Sequence, residues 1–402
     1  MDTKAFLTKY ALNPQEIDGA QCLQALLEEM KQGLSGKGVI PMIPSYLPLS
    51  VQPVPGSRCC IMDAGGTNLR CASGEFDPDG NCRMDNLYKT AMPGTKGELT
   101  FDAFYGQLAK FVQDSGCTEQ VGLCFSFNVL LERNLDGILH SWCKEVRVPE
   151  AVGKAVGASL QDALGTACNS VRVLNDSTAA LLGAHHVDPS IRVGLILGTG
   201  VNVCYPESCA AIPKVEKDLR SDNMIICTEI GEFRGIPKTE FDLQVIAASD
   251  EPEMAHAEKQ CSGAYLGDLI SAAWQAAAKE GILGDNFRKV YPLPQISDYL
   301  SGIEASIPES QDAKAIARVM IHRAAKVAAI LTAGPALRSC KAGEICTIVI
   351  EGSQYSKLTG FGECFRQELE VLLQPHGIGY AITQVENSCL LGAALAAFAE
   401  PM

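Results

Sequence analysis

No run of apolar residues in this chain reaches the roughly 20 that cross a bilayer as a helix. The longest, Val327–Leu337 and Cys389–Ala399, fall short, and the first carries Pro335. The opening residues, Met1–Tyr10, are charged and have no apolar core, so no secretory leader is read. A soluble, cytoplasmic protein is expected. Zinc-type spacings are missing as well: the 17 cysteines include no C-x-x-C pair and the six histidines no H-x-x-x-H. A secreted disulfide scaffold would be far shorter. The cysteines are therefore read as reduced thiols packed as small hydrophobes, and His185–His186 as the end of a helix. Positive charge is scarce, with 33 Lys and Arg against 47 Asp and Glu for a net charge of −14. That balance argues against nucleic acid and anionic membranes as partners. A nucleotide is still allowed, because backbone N–H groups and a divalent cation supply a local positive field. Neither the Walker A pattern nor G-x-G-x-x-G is present, which disfavours those two phosphate-binding folds.

What is there has the size of two domains: 402 residues exceed the span of one ordinary core. A hydrophobic share of 47% with 20% charged residues suits a folded globular chain. Ile17, Ala20, Leu23, Leu27, Met30 and Leu34 recur at helical steps and predict an amphipathic helix, ended by Gly36-Lys37-Gly38. Pro41, Pro44, Pro48, Pro53 and Pro55 then mark an extended connector. Two similar units follow. Strand Cys59–Met62, turn Asp63–Asn68 and strand Leu69–Phe76 form one; strand Val193–Leu197, turn Gly198–Asn202 and strand Val203–Tyr205 form the other. Further strands are read at Val121–Phe127, Val171–Leu174 and Thr347–Ile350. Helices are read at Ser177–His185, Ala264–Lys279, Ala313–Leu331, Gly360–Leu373 and Ser388–Ala399. Alternating strands and helices predict α/β layering.

A glycine turn after a strand brings backbone N–H groups against phosphate oxygens, because no Cβ blocks the approach. Gly65-Gly66-Thr67-Asn68 and Gly198-Thr199-Gly200 both fit, and Thr67 and Thr199 add hydroxyl donors. An ordinary hairpin turn fits each equally well. Asn175-Asp176 lies between a strand and a helix, where a carboxylate faces the ligand side of an open α/β sheet. Taken alone, Asp176 reads first as a helix cap.

Ordered motifs from near Met42 to the C-terminus resemble the hexokinase family. Met42-Ile-Pro-Ser-Tyr46 is similar to its connector, Asp63-Ala-Gly-Gly-Thr-Asn-Leu-Arg70 to its first phosphate motif and Leu174-Asn-Asp-Ser177 to its catalytic segment. Phe125-Ser-Phe127, Gly137-Ile-Leu139 and Trp142-Cys-Lys144 match its sugar signature, and Gly198–Tyr205 its second phosphate motif. Thr228-Glu-Ile-Gly-Glu-Phe233 and Glu258 ahead of Gly263-Ala-Tyr-Leu-Gly267 resemble its later sugar contacts. Ile350-Glu-Gly-Ser353 and Ser388–Leu395 stand where its adenosine side is expected. Departures occur at Asn128, Cys143, Cys227 and Ile230, where the family commonly has proline, threonine, asparagine and tryptophan. They bear on sugar preference, since a thiol is a poorer hydrogen-bond partner than a hydroxyl or amide.

The resemblance implies a two-lobed actin-like (ribonuclease H-like) ATPase fold with a cleft between a small domain, residues 57–175 plus 386–402, and a large one, 1–56 plus 176–385. It implies transfer of a phosphoryl group from Mg-ATP to the C6 hydroxyl of a hexose, glucose first. Asp176 would be the general base, with Lys144 offsetting charge. Ser126, Lys144, Asn175, Asp176, Asn202, Glu229 and Glu258 would hold the sugar. Gly65, Gly66, Thr67, Asn68, Gly198, Thr199 and Gly200 would cradle the phosphates, and Asp63 would order Mg²⁺, directly or through water. Gly352, Ser353 and Ser388 fall on the adenosine side. Closing around the sugar would keep water from taking its place. A non-catalytic hexose sensor or a kinase for another hexose or amino sugar are the competing readings. Retention of Asp176, Lys144 and both glycine turns speaks against the sensor.

Overall fold

The computed structural model describes residues 2–142, 146–303 and 306–402. The chain divides into two compact units, Met1–Met42 with Leu195–Val203 and Thr228–Ile382, and Ile43–Gly194 with Cys204–Cys227 and Thr383–Met402. Strands β1 (Ile43–Pro44), β9 (Ile191–Leu197), β10 (Val201–Ser208), β11 (Asn223–Cys227), β12 (Ile345–Glu351) and β13 (Gly379–Thr383) form one sheet, in the order β1-β11-β10-β9-β12-β13.

The second unit holds a five-stranded sheet of β2 (Arg58–Ala64), β3 (Asn68–Phe76), β4 (Cys82–Ala91), β5 (Gln120–Phe125) and β8 (Ser170–Leu174), in the order β4-β3-β2-β5-β8. β2, β5 and β8 run parallel, while β3 and β4 return antiparallel. β2 is buried from Cys59 to Ala64, as a strand covered on both faces must be. Neighbouring cysteines on it point to opposite sides. Cys60 joins the cluster made by α3 (Phe101–Asp114) and α4 (Val156–Leu164), with Phe104, Leu108, Val112 and Leu160. Cys59 turns to the carbonyl of Ala394 in α13 (Ser388–Ala396). α13 also packs on α5 (Asp176–Val187); α13 is buried throughout and α5 from Ser177 to Ala184. Their backbones meet at two glycines: a Cβ on Gly183 would lie 2.1 Å from the Ser388 carbonyl oxygen, and one on Gly392 1.9 Å from that of Ala179. A two-stranded ribbon, β6 (Asn128–Leu131) and β7 (Gly137–Ser141), is pinned to α4 by Asp136. The Asp136 carboxylate accepts from the N–H groups of Gly137, Gly157 and Ala158 at 2.6, 2.6 and 2.9 Å.

The first unit is mainly helical: α1 (Thr3–Lys9), α2 (Gly19–Leu34), α6 (Glu240–Ala248), α7 (Glu258–Cys261), α8 (Gly263–Lys279), α9 (Leu293–Ser301), α10 (Gln311–Ser339), α11 (Gln354–Lys357) and α12 (Phe361–Leu373). α10 runs past Pro335 and packs on α2, α8 and α12. Trp274 of α8 meets Phe287, Tyr291 and Tyr299 edge-on and donates its ring N–H to the Ala313 carbonyl. Among the described residues, no helix is long and apolar enough to cross a membrane.

The helix expected around residues 17–34 and the two glycine hairpins are present. Asp63 and Asn68 lie in β2 and β3 rather than in the turn between them. Within the proline-rich connector Ile43–Pro44 pairs with β11 at the sheet's edge, the position that tolerates a residue without an N–H.

Candidate active site

The parallel strands of the second unit end side by side. Asp63, Cys124 and Leu174 stand in register on β2, β5 and β8. Ser126 follows β5 directly, its N–H donating to the Ala64 carbonyl at 3.1 Å. Asn175 and Asp176 follow β8. The helix cap falls to Asn175, whose Oδ1 accepts from the Ser177 N–H at 2.9 Å and the Ser177 hydroxyl at 2.7 Å. Asp176 is the first helical residue, half-buried, among the N–H groups that a helix start leaves without helical partners. Four cysteines pack around this turn. Cys389 donates to the Asp176 carbonyl, Cys204 to that of Ser177, and Cys227 accepts from the Ser177 hydroxyl. Burial pushes the fully enclosed Cys124 thiol well above its usual range, and the carboxylates of Asp63 and Asp176 push it the same way. Both carboxylates thus act on one buried thiol.

Asp63 has a partner the sequence reading did not assign. Arg70, directly opposite on β3, reaches Asp63 Oδ2 with Nε at 2.8 Å and Nη2 at 2.6 Å. The hairpin register contained that signal, because directly opposed residues on paired strands share a face. Between them the turn is tight: the Gly65 N–H donates to the Asn68 carbonyl at 2.9 Å. Thr67 and Asn68 are exposed, and the Asn68 amide donates to the Thr67 hydroxyl at 2.9 Å.

The first unit holds the second glycine turn. The Gly198 N–H donates to the Gly200 carbonyl, and α8 begins on this turn, with Gly263 and Ala264 donating to the carbonyls of Gly198 and Thr199 at 2.8 and 3.1 Å. Gly352 closes in from the end of β12 with φ +106°, where a Cβ would sit 2.3 Å from the Leu197 carbonyl oxygen. Ser353 follows it, ahead of α11. Glu258 opens α7, and its Oε2 accepts from the Val201 N–H at 2.9 Å. Gly200 leaves room for that carboxylate, since a Cβ there would lie 2.6 Å from Glu258 Oε2. Asn202 and Glu229 lock together: the Asn202 amide donates to Glu229 Oε1 at 2.7 Å, and the Glu229 N–H returns a bond to Asn202 Oδ1 at 3.0 Å. Glu229 is held in the left-handed region at φ 55°, ψ 45°, a strained conformation that persists where surroundings over-determine it.

The structure therefore brings Asp63, Gly65, Gly66, Thr67, Asn68, Ser126, Asn175 and Asp176 to one set of strand ends. It brings Gly198, Thr199, Gly200, Asn202, Glu229, Glu258, Gly352 and Ser353 to another. Ser388 begins α13 and is fully buried. Lys144 and Cys143 lie outside the described residues. No cluster of three or more His, Cys, Asp or Glu side chains among the described residues could by itself hold a metal ion.

Solved structures give the class. A hexokinase from Schistosoma mansoni complexed with glucose superposes with a TM-score of 0.84 over 99% of this chain and 100% of that one, at 22% identity. Another hexokinase structure matches at a TM-score of 0.79 and 19% identity, covering 98% of each chain. The fold is that of the two-lobed, actin-like sugar kinases, as the motifs implied. Sequence comparison then gives the family. The hexokinase profiles match residues 2–186 and 192–399. Hexokinase-7 of Oryza sativa subsp. japonica is 30% identical over 93% of this chain and 92% of its own, and Hexokinase-2 of Candida albicans 30% identical over 85% and 80%. The chain belongs to the hexokinase family and is a hexokinase-type phosphotransferase.

Proposed function

We propose that the chain phosphorylates glucose at its C6 hydroxyl, with Asp176 as general base. The placement of Asp176 carries this reading: it starts a helix at the ligand side of three parallel strands, with Asp63 acting on the same buried thiol. The C6 oxygen attacks the γ-phosphorus of ATP as its proton passes to the Asp176 carboxylate. The bond from the γ-phosphorus to the oxygen bridging to ADP breaks, giving sugar 6-phosphate and ADP. Little covalent help is needed, so positioning and charge stabilisation carry most of the rate.

Ser126, Asn175, Asn202, Glu229 and Glu258 are assigned to the sugar hydroxyls. Paired carboxylates suit that task, because their hydrogen bonds to hydroxyls are charge-assisted. Lys144 is assigned to the charge developing on the transferred group. The exposed Thr67, Asn68 and Thr199, with the backbone of both glycine turns, are assigned to the phosphates, and Gly352, Ser353 and Ser388 to the adenosine side. Mg²⁺ is ordinarily held by one or two carboxylates together with substrate phosphates. Asp63 would hold it through water, Arg70 already occupying Oδ2. When bound, the ion neutralises phosphate charge.

Initial-rate ADP release with Mg-ATP and glucose, mannose, fructose or N-acetylglucosamine tests the reading. Glucose is expected to give the highest kcat/KM. Failure of all four to accelerate ADP release would remove it.

A further inference from the structure

Glu258 owes its place to a short helix that enters from an irregular segment. Between the end of α6 at Ala248 and the start of α7, residues 249–257 form neither helix nor strand, and Ala255 sits in the left-handed region at φ 53°. Such a segment has few apolar contacts to fix it, yet it must deliver a carboxylate to within hydrogen-bond distance of the Val201 N–H. The residue after Glu258 is a lysine only 2% exposed. Lysine is almost never buried so completely without partners. Here the ammonium group folds back on the entering segment and donates to the carbonyls of Glu251 at 2.5 Å and Met254 at 2.8 Å. The Lys259 N–H adds a bond to the Ala255 carbonyl at 3.0 Å. The same segment is tied to the Glu229 turn, because the Ala257 N–H donates to the Gly231 carbonyl at 2.9 Å. One buried cation thus fastens the stretch that joins the Glu229 turn to Glu258.

We propose that Lys259 is a positioning residue for the sugar-binding carboxylates: it fixes residues 251–257 so that Glu258 and the Glu229 turn keep their relative placement. This rests on the assignment of Glu229 and Glu258 to the sugar. Lys259 touches no reacting atom. Burial lowers the Lys259 ammonium from its ordinary range, and the nearby carboxylates of Glu232, Glu251 and Glu258 offset part of that shift. A methionine of similar length fills the space and supplies none of the donors.

The test uses Lys259→Met and Lys259→Arg in the full chain, with KM for glucose, KM for ATP and kcat measured separately. Lys259→Met is expected to raise KM for glucose about tenfold or more, the size of lost hydrogen bonds from a charged donor. KM for ATP should hold and kcat should change far less. Lys259→Arg, which keeps a buried cation, should recover part of the loss. A glucose KM that stays at the wild-type value, that moves in step with the ATP KM, or that arginine does not improve, overturns the proposal. Should Lys259→Met show no cooperative thermal transition, Lys259→Leu, which also lacks donors, replaces it, with the same outcomes. Glu258→Gln in the same assay separates the two levels. If that variant leaves KM for glucose unchanged, the carboxylate assignment fails. If it raises KM while Lys259→Met does not, only the role of Lys259 fails.

Discussion

Asn175 and Asp176 divide two duties that the sequence left on one residue. The cap falls to Asn175, and the carboxylate after it accepts from the same Ser177 N–H at 2.8 Å. Asp176→Ala is expected to lower kcat by roughly 10²–10⁴-fold, the usual weight of a general base, with a native thermal transition. Initial rates at saturating glucose and ATP measure it, and a near-wild-type kcat would remove Asp176 from the mechanism. At this scale the sequence was legible wherever chemistry was local. Asn175-Asp176 after an apolar run, and glycine with threonine between two strands, declare themselves within a few positions. Glu258 accepting from Val201, and Lys259 folding back on Met254, depend on backbone placement that no local pattern encodes.

Elements showed the same division. The hairpins β2–β3 and β9–β10 and the helices α2, α8, α10 and α12 were readable because each keeps an apolar period or run. β4 was not, since its mostly exposed polar residues give an edge strand no hydrophobic signal. The ribbon β6–β7 is short and depends on Asp136 reaching α4. α10 continues past Leu331, where the sequence reading ended it, because packing on three other helices outweighs the donor missing at Pro335. The helices around α7 are joined by Arg323 of α10. It is 2% exposed and reaches Asp242 of α6 at 3.0 Å, the Pro237 carbonyl at 2.7 Å and Gln260 of α7 at 3.5 Å. Removing one member of a buried pair leaves the other charge without compensation. Arg323→Met is expected to cost about 3–5 kcal/mol, read from urea unfolding. A loss below about 1 kcal/mol, the range of surface pairs, would show that the contact is not structural.

Over the whole molecule, Asp176 belongs to one unit, and Glu229 and Glu258 belong to the other. Under the proposed function, a site completed only by a bound hexose would keep water from taking the phosphoryl group. ATP hydrolysis without sugar should therefore run at a small fraction of the rate of sugar phosphorylation, as a coupled ADP assay with and without glucose would show. Comparable rates would contradict that exclusion of water. The order of the chain has a further consequence during synthesis. β2 and α5 are made early, but α13, on which both rest, comes some 200 residues after α5. A ribosome that has just released Asp176 has not yet supplied the floor beneath it. Nascent chains stopped before residue 388 would leave the Gly183 face of α5 and the apolar side of β2 uncovered, as binding sites for chaperones.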